Sequence, residues 1–121
     1  MIAVSLTLDA GGNFRSVEAS GHAGAGVRGE DIVCSAVTAL LRTTLTALSG
    51  ELPGMEAESA GRGALSFRAP VAGEGASPFL RYAGLFLREG LSAIAREYPG
   101  SVDLTVVGGE EPARKQVILE D

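Results

Sequence analysis

The sequence contains no tryptophan, one cysteine and one histidine, and aromatic residues make up only 5% of it. Each scarcity excludes something. A single cysteine cannot form an internal disulfide, which fits a reducing compartment. One histidine and one cysteine with no second cluster are too few ligands for a metal site. With so few aromatics, a core has to be packed from Leu, Val, Ile and Ala. Cationic surface is scarce as well: the formal net charge is -5, and Lys115 is the one lysine. Such a balance argues against direct binding to a phosphate backbone but suits a basic protein or peptide partner. The N-terminus lacks a cationic segment followed by an apolar run, so no signal peptide is expected. Nor does any continuous apolar run reach the roughly 18 residues of a membrane span. The expectation is a soluble cytoplasmic protein with no membrane partner and no cofactor.

What is present fits one domain: 121 residues, 45% of them hydrophobic. Ile2, Val4, Leu6 and Leu8 alternate with Ala3, Ser5 and Thr7, the period of a half-buried strand. Asp9 to Asn13 is rich in turn formers and should reverse the chain into a second strand, Phe14 to Ser20. Glu30 to Leu48 reads as a helix ended by Ser49-Gly50. Cys34, Val37, Leu41, Leu45 and Leu48 lie on one stripe of it. Ile32, Val33, Ala36, Ala39 and Leu40 make much of its remaining surface apolar, so burial on most sides is expected. A second hairpin follows, Met55 to Ala60 with Ala64 to Ala69. Ser77-Pro78 signals a second helix, with Phe79, Ala83, Phe86, Leu87, Gly90 and Ile94 on its inner face, stopped by Pro99-Gly100. Val102 to Val107 is the last strand. Residues 109–121 form a C-terminal tail, in which Gln116 to Leu119 could add a short strand. The fold class is therefore α+β, one mostly antiparallel sheet with two packed helices in the order ββαββαβ.

Chemistry can rest on few residues. His22 and Cys34 are separated by a glycine-rich loop, Gly21-His22-Ala23-Gly24-Ala25-Gly26-Val27-Arg28-Gly29, and Cys34 falls in the first turns of a helix. Free backbone N–H groups and the helix dipole favour a thiolate at such a place, and an imidazolium nearby favours it further. Taken singly, a lone Cys on a helix is commonly a small buried hydrophobe, and a lone His at a strand end a surface or capping residue. Asp31 is either a first-turn carboxylate favoured by the dipole or a third group that orients His22. The run Gly24-Ala25-Gly26-Val27-Arg28-Gly29 matches a dinucleotide fingerprint, but Glu30 and Asp31 would repel a pyrophosphate there, and the hairpin that follows is not a βαβ crossover. The glycines suit a loop that opens and closes over a substrate.

Gly21-His22-Ala23 followed by Gly29-Glu30-Asp31-Ile32-Val33-Cys34-Ser35-Ala36-Val37 resembles the signature of the ribosomal-processing cysteine proteases, the Prp family, and the order of elements is similar over roughly residues 1 to 107. The resemblance implies a cytoplasmic endopeptidase that removes the N-terminal extension of large-subunit ribosomal protein number twenty-seven. It also implies a homodimer, a Cys34–His22 dyad and no cofactor. Asp31 falls on the family's acidic position, Gly21, Ala23, Gly24, Gly26 and Gly29 form a substrate-gating loop, and the protease domain spans residues 1–108. Thr38 stands where similar proteins carry Ser. Two other readings stay open on the residues alone: a non-enzymatic ribosome-associated binding module with Cys34 as core, and a thiol hydrolase of a small acyl substrate.

Overall fold

The computed structural model describes residues 1–21, 28–59, 64–70 and 78–108, with the backbone alone for 28–31. The elements are β1 (Ile2–Leu8), β2 (Phe14–Ser20), α1 (Arg28–Glu51), β3 (Glu56–Glu58), β4 (Ala64–Arg68), α2 (Pro78–Glu97) and β5 (Val102–Val107). The order ββαββαβ is the one the sequence predicts. Residues 109–121 and the strand expected at Gln116 to Leu119 lie outside the described residues.

The strands form one five-stranded sheet, β3-β4-β2-β1-β5. Its pairs are antiparallel except β1 with β5, which run parallel. Ile2, Val4, Leu6 and Leu8 are buried on one face, and the register sets Leu6 beside Val17 and Val106, and Val17 beside Phe67. The helices cover that face. On the opposite face Ser5, Thr7, Glu18, Ser66 and Thr105 are not buried. The alternation in β1 thus translates directly into a sheet covered on one side. Phe14 and Phe67 meet beneath the helices with ring centroids 5.4 Å apart.

The hairpin turn between β1 and β2 is held by one carboxylate. Asp9 Oδ1 accepts from the Gly11 and Asn13 backbone N–H groups and from Asn13 Nδ2, at 2.9, 2.9 and 3.1 Å. These donors, the Asn13 backbone N–H foremost, hold the Asp9 carboxyl below its ordinary value.

Three expectations about the helices need correction. First, α1 runs past Ser49-Gly50 to Glu51, and Leu52 N–H still reaches the Leu48 carbonyl at 2.8 Å. Pro53 ends it, because proline lacks the N–H and disfavours helical backbone at the preceding residue. Second, α1 is not buried on most sides. Val33, Val37, Leu41 and Leu48 are in the core, whereas Ile32 is 56% exposed and Ala39 is exposed. The segment Ile32–Glu51 is long and apolar enough, by length and composition, to cross a bilayer. A continuous apolar run is absent because threonines and serines interrupt it, yet they scarcely lower the average hydropathy. Third, the inner face of α2 is Leu80, Ala83, Gly84, Leu87 and Leu91. Phe79 and Phe86 are 50% and 48% exposed. Choosing the largest apolar side chains rotated the expected face and overlooked Gly84. A Cβ there would lie 2.6 Å from the Gly12 carbonyl oxygen, so the missing side chain is what lets α2 rest on the β1–β2 turn.

The Asp9 turn yields a pH prediction. Its folded value is lowered, so its stabilisation is complete above the unfolded value of about 3.9 and is lost as pH falls through the lower folded value. Asp9→Ala should cost about 1–2 kcal/mol at pH 7 through its lost hydrogen bonds. In urea unfolding, the gap to wild type should stay constant above pH ~5 and narrow below pH ~4.

Candidate active site

The sulfur sits where it does because of helical phase. Val33 and Val37 are fully engaged in the core, and Cys34 is rotated by about 100° from Val33 on the helix. That rotation takes it to the rim of the buried stripe. Cys34 is a free thiol of intermediate exposure that packs against the core on one side. On the other side it faces a cavity of about 320 Å³. Ile2, Ala19, Val37, Leu41 and Leu65 give this cavity an apolar floor, and Ser20, Gly21, Ser59 and Ala64 lie along its border. Ser59 Oγ donates to the Ala64 carbonyl at 3.4 Å, tying the β3 end of that border to β4.

Two further polar side chains line the cavity, Thr38 and Arg42. With Cys34 they occupy positions i, i+4 and i+8 of α1, a single line along one face. The spacing was available in the sequence, and so was the fact that Arg42 is the one charged residue between Ile32 and Gly50. In the sequence, Thr38 stands out only as a departure from similar proteins, and nothing beyond its charge marks Arg42.

The remaining predicted site residues divide into three groups. Gly21 closes β2 with a φ of +94° and lines the cavity. His22, Ala23, Gly24 and Gly26 lie outside the described residues, as does the Asp31 side chain. Gly29 is a correction: it belongs to α1, which begins at Arg28, and not to a loop.

The same early start changes the electrostatics expected of Cys34. It is the seventh residue of α1, about 9 Å along the axis from the first. Its N–H belongs to the intrahelical ladder, and the unpaired N–H groups lie in the turns before it. The dipole effect falls off within the first turn. The helix dipole therefore contributes little at the sulfur. Gly21 is the covalent neighbour of the only imidazole in the chain. A Cβ on it would lie 2.5 Å from the Met1 carbonyl oxygen, and its φ is one that L side chains rarely adopt. Only a residue without a side chain fits at this point of the cavity's border.

Comparison with known proteins adds to this geometry. The family model described as cysteine protease Prp matches residues 1–103. A S. aureus structure of an essential ribosomal processing protease Prp with a covalently linked product peptide is similar at 26% identity. It has a TM-score of 0.66, with 88% of this chain and 99% of that one covered. The same protease with a substrate peptide gives 25% identity, a TM-score of 0.66 and the same coverage. A Streptococcus mutans structure at 24% identity shares the fold, with a TM-score of 0.70 over 91% of this chain and 96% of its own. No curated protein matches significantly.

Gly21 gives a paired prediction. Gly21→Ala should lower stability by about 1–3 kcal/mol, from the strained φ and the shift needed to relieve the Met1 contact. Gly50→Ala should raise it by up to about 1 kcal/mol, since nothing lies within 4 Å of a Cβ at that helical position. Chemical denaturation of the two variants measures both.

Proposed function

The chain belongs to the Prp family of cysteine proteases, whose model it matches over residues 1–103, and from that premise we propose that it removes the N-terminal extension of large-subunit ribosomal protein number twenty-seven, with Cys34 as nucleophile and His22 as general base. The observation that carries this reading is the partly exposed Cys34 on the wall of a cavity bordered by Gly21, the residue directly before His22. The S. aureus protease binds a substrate peptide and a covalently linked product peptide, which supports an extended peptide as occupant here. A cavity open beside several strand ends suits a peptide better than a small acyl group.

In the proposed reaction His22 takes the proton from Cys34 Sγ, and the thiolate attacks the scissile carbonyl carbon. The C–N bond breaks as His22 returns the proton to the leaving amine, and a thioester remains on Sγ. Water activated by His22 hydrolyses it, releasing the new carboxylate and restoring the thiol. No cofactor enters. Because Cys34 lies beyond the free N–H groups of α1, the oxyanion needs another donor. Thr38, one turn on along the same wall, supplies its hydroxyl. It makes no hydrogen bond to any described residue, so the hydroxyl is available. Asp31 orients His22, and the segment from Gly21 to Gly26 gates the groove.

The proposed setting is the cytoplasm, with residues 1–108 as the protease domain and 109–121 as a tail, and without membrane or nucleic acid as partner. The Ile32–Glu51 segment serves as a core helix: its stripe from Val33 to Leu48 is packed with the sheet residues in one cluster. We also propose a homodimer. Phe79, Tyr82, Leu85 and Phe86 lie exposed along one side of α2, a contiguous apolar strip of the kind that marks protein–protein contacts.

A peptide spanning the extension junction should be cut by wild type and left intact by Cys34→Ala; equal cleavage by both would end the assignment. Cys34→Ser should keep its fold and lose most turnover. Thr38→Val should lower kcat by about 10- to 100-fold with KM little changed, consistent with loss of one oxyanion donor, and Thr38→Ser should stay near wild type. For assembly, light scattering should give a dimer mass for wild type and a monomer mass for Tyr82→Glu/Phe86→Glu.

A further inference from the structure

The cavity that holds Cys34 has a charge at one end that the proteolytic chemistry does not use. Arg42 is exposed and is the only charged side chain among the described residues lining it. It makes no ion pair or hydrogen bond with any described residue, although other arginines do: Arg68 binds Glu56 at 2.7 Å and Arg81 reaches the Gly11 carbonyl at 3.3 Å. Val37, Leu41, Ile2 and Leu65 give the cavity an apolar floor, and Thr38 stands between Cys34 and Arg42 on its helix wall. A guanidinium at the edge of an apolar trough offers a planar fork of donors that matches a carboxylate bidentately.

We propose that Arg42 forms a specificity subsite for an acidic side chain of the peptide substrate. The inference rests on the reading of Cys34 as a peptidase nucleophile. Along α1, Arg42 lies about 12 Å from Cys34. An extended peptide advances about 3.3 Å per residue, so the recognised Asp or Glu sits roughly three to four residues from the scissile bond. Apolar side chains between the two positions pack on Val37, Leu41 and Leu65. The overall charge of -5 does not oppose this contact, because exposed charges more than about 8 Å away are largely screened at physiological salt.

The test uses the full chain and separates binding from cleavage. Fluorescently labelled junction peptides carry Glu, Gln or Lys at each successive position. Their affinity for Cys34→Ala is read by fluorescence polarisation, and their cleavage by wild type is measured in parallel. One position should be found at which Glu binds about tenfold more tightly than Gln, with Lys weakest. That preference should shrink with added salt, vanish in Cys34→Ala/Arg42→Gln and invert toward Lys in Cys34→Ala/Arg42→Glu. Because Arg42 is exposed, these variants should melt as Cys34→Ala does. Peptides that are cut and bound with no preference for Glu at any position, or a preference unchanged by Arg42→Gln, would overturn the subsite alone. Peptides neither bound nor cut would overturn the protease reading, and the subsite with it.

Discussion

The site depends on the anchoring of α1 by its buried stripe. Val33, Val37 and Leu41 are at most 3% exposed and belong to the same core as Ile2, Val4 and Val17. Burying each such side chain stabilises the fold by about 1.5–3 kcal/mol relative to leaving it exposed, and close packing leaves the helix no freedom to roll. Fixing those residues fixes their neighbours in phase. Cys34, Thr38 and Arg42 form the next line around the helix, and that line is the wall of the cavity. The same packing that holds the protein together thus sets the direction in which the thiol faces the cavity.

The opposite border is set by backbone geometry. The end of β2 is held by pairing of Ser20 with Ala3 and with Ala64. Gly21 then turns with a positive φ so close to Met1 that no side chain fits. An apolar anchor on the helix and a steric constraint on the strand therefore converge on the cavity from two sides. In the proposed reaction, the late position of Cys34 in α1 leaves activation of the thiol to the His22 imidazole rather than to the helix dipole.

Much of this was legible in the sequence, for identifiable reasons. The period of two in β1 and the turn formers from Asp9 to Asn13 left one reading each, and the structure follows them. The glycine-rich segment with His22 on one side and Cys34 on the other carried the family resemblance, and the family match agrees. What was misread depended on tertiary context. The inner face of α2 turns on Gly84, whose contribution is the side chain it lacks. The end of α1 turns on Pro53 overriding Gly50. Arg42 was passed over because one charge in an apolar helix looks like a solvated side chain until the strands beside it define a trough.

The central claim is that the imidazole of His22 activates the sulfur of Cys34. The most direct measurement is the rate at which iodoacetamide alkylates native Cys34 at pH 7, in wild type and in His22→Ala. The account predicts that wild type reacts at least about tenfold faster and that the difference disappears in urea, where the two residues are no longer held together. Equal native rates in the two proteins would contradict it.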